Sequence, residues 1–75
     1  MAKIESWENR SGAPANDPNA FGYVYFSNGS RVGFSAGTGD GVWEPRTNGG
    51  GKFVAVSPAQ LRAAREFLRK QGVQV

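Results

Sequence analysis

The segment from Ser57 to Val75 constrains the fold more than any other, because it reads as a helix with both ends written in. Ser57 stands at the N-cap, Pro58 at the first helical position, and Gln60 completes a capping box. Gly72 is placed as the stop, where a residue able to take positive φ is needed. A helix over Pro58–Gln71 follows. At about 100° per residue, Leu61, Ala64, Phe67 and Leu68 share one arc of roughly 120°. Arg62, Arg65 and Arg69 form the adjoining ridge, with Lys70 on the far side. A helix with one apolar arc must lay that arc on something, so the rest of the chain has to supply a partner layer.

Phe21 to Ser35 supplies the clearest β signal: Phe-Gly-Tyr-Val-Tyr-Phe-Ser, then Asn28-Gly29, then Ser-Arg-Val-Gly-Phe-Ser. Asn-Gly between two such runs predicts a two-residue type I′ hairpin loop. That register sets Phe26 against Arg31, Tyr25 against Val32 and Tyr23 against Phe34. Phe21, Tyr23, Tyr25, Val32 and Phe34 then share the richer face, which is the expected core. Val24, Phe26, Arg31, Gly33 and Ser35 share the other. Lys3–Trp7 reads as a short first strand, Val42-Trp43-Glu44 as a brief one, and Lys52–Val56 as a last one.

Residues 9–20 hold two prolines and an Asn-Asp-Pro, and read as a linker or loop. Residues 36–51 hold six glycines in sixteen positions and read as a second long loop. The expected fold is a single α+β domain over 1–75: a small antiparallel sheet, the hairpin plus one or two further strands, covered on one face by the C-terminal helix.

The chain has 75 residues, no cysteine and no histidine. Disulfides and a zinc site of nitrogen and sulfur ligands are excluded. So are the usual general base and the best thiol nucleophile. The six carboxylates, Glu5, Glu8, Asp17, Asp40, Glu44 and Glu66, show no spacing that pairs an acid with a base. A non-enzymatic protein without cofactor is the expectation. Gly37-Thr38-Gly39-Asp40-Gly41 lacks the lysine and helix of a P-loop and has one carboxylate where calcium needs several, so it reads as a turn. Asn28-Gly29-Ser30 matches a glycosylation acceptor but is better explained as the hairpin turn. No signal peptide or membrane span is visible, so a cytoplasmic location is expected.

What remains is binding. The net charge is +3, and the helix carries four basic residues against Glu66, so it accounts for the same +3. Dipole and i,i+4 pairing explain Arg69, Lys70 and Glu66, but not Arg62 and Arg65. Trp43 sits between glycine-rich segments. Such an indole either tucks under the sheet, the more usual fate, or faces a partner. The candidate partner-binding residues are Arg62, Arg65, Arg69, Trp43, Arg46 and Arg31. The first expectation is a regulator that binds a larger protein through an acidic patch. The second is a single-stranded nucleic-acid binder, with Tyr23, Tyr25 or Phe26 stacking bases and arginines holding phosphates.

In layout, Phe21–Ser35 with Lys52–Gln71, the chain resembles small bacteriophage-encoded proteins that bind host machinery such as bacterial RNA polymerase. The resemblance implies a transcription regulator and a protein partner. It transfers no functional residue.

Overall fold

The computed structural model describes residues 3–37, 41–45 and 54–75. Four strands, β1 (Ile4–Asn9), β2 (Phe21–Phe26), β3 (Arg31–Ser35) and β4 (Val42–Trp43), precede one helix, α1 (Pro58–Lys70). The sheet is antiparallel in the order β1-β2-β3-β4, so every strand pairs with its neighbour in the chain. The α+β architecture is the one expected.

The hairpin between β2 and β3 departs from expectation by one residue. Tyr25 pairs with Arg31, Val24 with Val32 and Tyr23 with Gly33. The loop is therefore Ser27-Asn28-Gly29. The Gly29 amide donates to the Phe26 carbonyl, and the Phe26 amide donates to the Ser30 carbonyl. Gly29 alone in this turn has positive φ, at 87°. A type I′ turn would demand positive φ at Asn28 as well. A type I turn closed by a glycine bulge fits instead.

Shifting a register by one residue moves a strand's side chains to the opposite face relative to its partner. Val24, Phe26, Val32 and Phe34 point inward and are buried. Phe21, Tyr23 and Tyr25, expected in the core, point outward instead, and Arg31 joins them. Only Val32 and Phe34 of the expected core face keep that place.

β1 is interrupted by a bulge between Ile4 and Ser6. The bulge resets the alternation, so that Ile4 and Trp7 both reach the core despite their odd spacing. The Trp7 ring lies 6.0 Å from Phe34 and meets Phe67 edge-on at 6.2 Å. The strand expected over Lys52–Val56 does not form in its described part. The Val56 amide donates to a Glu44 carboxylate oxygen, a side-chain partner where a ladder would need a carbonyl. Lys52 and Phe53 lie outside the described residues.

α1 follows its signals closely. The Gln60 amide donates to Ser57 Oγ and the Ser57 amide to Gln60 Oε1, closing the capping box. At the other end the Val73 amide donates to the Leu68 carbonyl and the Gly72 amide to Arg69. Gly72 has φ 96°, and Val73 is buried beside Leu68, which completes a Schellman motif. Ala64 and Leu68 are fully buried, with Leu61 and Phe67 packed alongside. Burying Leu68 or Phe34 contributes about 1.5–3 kcal/mol each.

One buried polar group joins helix to hairpin. Ser30 is 1% exposed. Its hydroxyl donates to Asn28 Oδ1 and accepts from Gln60 Nε2 at 2.9 Å. The capping residue of α1 thus also holds the β2–β3 turn.

The loop from Arg10 to Ala20 is tied by side chains. Asn9 Oδ1 accepts from the Ser11 amide and Asp17 Oδ1 from the Asn19 amide. Gln74 Nε2 donates to the Asn16 carbonyl, so the C-terminal tail lies against this loop.

Candidate nucleic-acid interface

α1 covers one face of the sheet, and no other helix or strand among the described residues covers the opposite, open one. On the open face the rows read Ser6, Glu8 and Arg10 from β1 and just beyond; Phe21, Tyr23 and Tyr25 from β2; Arg31, Gly33 and Ser35 from β3; and Trp43 from β4. The face carries four aromatic side chains and two guanidinium groups, with no aliphatic side chain among them. Phe21 is 47% exposed and Trp43 43%, and they are the large hydrophobic side chains most open to solvent among the described residues.

Tyr23 stands at the centre. The Arg31 guanidinium carbon lies 4.5 Å from its ring centroid and that of Arg10 5.8 Å. Tyr25 lies 6.3 Å from Tyr23, ring to ring. Glu8, the acid on this face, takes an ion pair from Arg10 Nε at 3.3 Å and a long hydrogen bond from the Tyr25 hydroxyl at 3.4 Å. Both partners of the ion pair are about half exposed, so it orients Arg10 more than it stabilises the fold.

Trp43 pairs with Gly33 across the β3–β4 ladder. A Cβ at Gly33 would stand 2.7–2.9 Å from indole Cε2, Nε1 and Cζ2. Only the missing side chain lets the indole lean over the β3 backbone. Beside it runs a groove of about 340 Å³, lined by Arg10, Phe21, Gly22, Tyr23, Phe34 and Trp43.

The residues named from sequence divide between two places. Arg31 and Trp43 meet on the open sheet face. Arg62 and Arg69 are exposed on α1, behind the other face, and Arg65 is half-buried. Arg69 Nε donates to the Val75 carbonyl oxygen at 2.7 Å, which gives it a structural task. Arg46 lies outside the described residues, as does the centre of the Gly37–Gly41 segment. Of the aromatics expected to stack, Tyr23 and Tyr25 face outward and Phe26 is core. Trp43 is not tucked under the sheet.

Sequence reasoning missed Arg10, Phe21 and Gly33 as parts of one site. Arg10 falls in the stretch that reads as a loop, yet its amide donates to the Phe21 carbonyl at 2.8 Å and extends the β1–β2 ladder. The signal was Trp7: with an inward Trp7, Glu8 and Arg10 fall outward by alternation.

No protein-family model, curated protein or solved structure matches the chain. No helix among the described residues is long and apolar enough to cross a membrane.

Proposed function

We propose that the chain is a non-enzymatic protein that binds single-stranded nucleic acid on its open sheet face. The observation that carries this reading is the row of Phe21, Tyr23, Tyr25 and Trp43 bracketed by Arg10 and Arg31. Bases stack on aromatic faces whatever their sequence, and cations beside the rings hold the phosphates. A face rich in rings and guanidinium groups but free of aliphatic side chains matches that pair of demands. Unpaired strands suit it better than duplex, whose bases are stacked already. A cytoplasmic setting fits this reading.

The test is titration of the protein with an oligothymidylate and with a duplex of equal length, at two salt concentrations. If Arg10 and Arg31 each meet one phosphate, affinity falls with a log–log salt slope of roughly −1.4. Single-strand binding with that slope supports the proposal, and no binding even at low salt refutes it.

A second reading has one observation in its favour. Arg62 lies exposed on α1, away from the open sheet face. A larger protein with an acidic patch, the transcription apparatus among the candidates, would meet this helix. Capture that depends on Arg62 and Arg65 but not on Tyr23 would favour it.

A further inference from the structure

The open face is not uniform, and its unevenness points to a sharper assignment, which rests on the nucleic-acid reading above. We infer that the groove beside Trp43 seats a single nucleotide, its base against the indole and its phosphate against Arg10, and that Gly33 is the residue that positions this seat. The groove, about 340 Å³, falls at the small end of the range for ligand sites. Its walls suit one flat ring. Trp43 stands on one side, Phe21 and Tyr23 on the other, and both Trp43 and Phe21 keep nearly half their surface open. Arg10 lies among the lining groups, held by Glu8 through its Nε. An anion attached to a stacked base would find that guanidinium within the same small space.

Gly33 decides where the indole lies. Three indole atoms occupy the space within 3 Å of where a Cβ would stand. The obstacle would be the first atom of a side chain fixed to the central strand, so the indole, not the methyl, would have to move. Tyr23 pairs with Gly33 from the other side. Gly33 is thus the gap between the two ring-bearing strands, and any larger residue lifts the indole from β3.

The experiment follows the two indole N–H resonances of the whole chain by NMR. Trp7 packs inside and serves as the internal control, and Trp43→Phe identifies which signal is which. The probes are adenosine monophosphate, adenosine and an oligothymidylate. The nucleotide is expected to shift the Trp43 signal and leave Trp7 in place, and to bind more tightly than the nucleoside. R10Q should abolish the difference between nucleotide and nucleoside. Trp43→Leu should weaken nucleotide binding about fivefold or more. G33A should weaken it comparably in the native background and have no further effect in Trp43→Leu. That non-additivity would not arise if Gly33 merely supported the strand. If the oligothymidylate binds but the nucleotide leaves Trp43 unmoved, or R10Q treats nucleotide and nucleoside as the native chain does, the seat is refuted and strand binding stands. If neither the nucleotide nor the oligothymidylate binds, both readings fall. Should G33A fail to fold, Trp43→Leu and R10Q decide the matter alone.

Discussion

The two faces of this sheet carry almost the same number of aromatic rings and do opposite things with them. The inner face sets Phe26, Phe34 and Trp7 against Val24, Val32 and the helix residues Ala64 and Leu68. The outer face sets Phe21, Tyr23, Tyr25 and Trp43 among arginines and glycine, with no second layer among the described residues to cover them. The difference lies in the companions. Rings beside aliphatic side chains are closed into a core, because dispersion and water exclusion act together there. On the outer face a guanidinium lies over Tyr23, while Phe21 and Trp43 keep nearly half their surface open. Aromatic count therefore says little about which side of a small sheet is buried.

The sharpest way to break that comparison is to delete one ring from each face. Phe34→Ala should cost about 3–5 kcal/mol, enough to unfold much of a domain this small. Chemical denaturation would measure it. Trp43→Ala should change stability by less than about 1 kcal/mol and still weaken oligonucleotide binding by about 1–3 kcal/mol. A Trp43→Ala variant as unstable as Phe34→Ala would show that the outer face is a second core. Next in size, Gln60→Ala should cost about 1–3 kcal/mol, since it strips a partner from buried Ser30 as well as from the Ser57 amide. Ser57→Ala should cost about 1 kcal/mol, the ordinary worth of a cap. The smallest effect is expected at Arg62→Ala, within about 0.5 kcal/mol in stability and without change in oligonucleotide affinity. A loss of oligonucleotide affinity there would move the site from sheet to helix.

The helix was legible almost to the residue. Its signals are local: Ser57, Pro58, Gln60 and Gly72 each act within one turn of the backbone they cap. The hairpin's existence was equally plain, but its facing was not. Asn28-Gly29 fits a two-residue loop, and Ser27-Asn28-Gly29 fits a three-residue one, with the same glycine closing both. The choice rests on what the faces meet elsewhere. Val24, Val32 and Phe34 find Leu68 and Ala64 only in the longer loop's register. That contact joins residues thirty or more apart, and no local pattern announces it. The candidate site suffered most from this, because one register step separates Arg31 on the bare side of Tyr23 from Arg31 over its ring. Trp43 could not be placed from its neighbours either, since its position depends on Gly33 in the adjacent strand. The helix ridge stood out in the charge pattern because it is contiguous in sequence. Arg10, Tyr23, Arg31 and Trp43 come from four separate places.

The hydrogen bond from Gln60 to Ser30 has a kinetic consequence. Strands that pair only with chain neighbours can zip in sequence, and pairing between neighbours is fast. The helix can likewise begin from its own cap. Two fast local events would ordinarily finish independently. Here the side-chain amide that caps one also donates to the buried hydroxyl in the turn of the other, so its bonds are complete only when both have docked. Helix and hairpin should therefore appear in a single exponential phase, and removing the Gln60 side chain should let the helix fray while the hairpin stays paired. Hydrogen exchange at the Phe26 and Leu61 amides would separate the two.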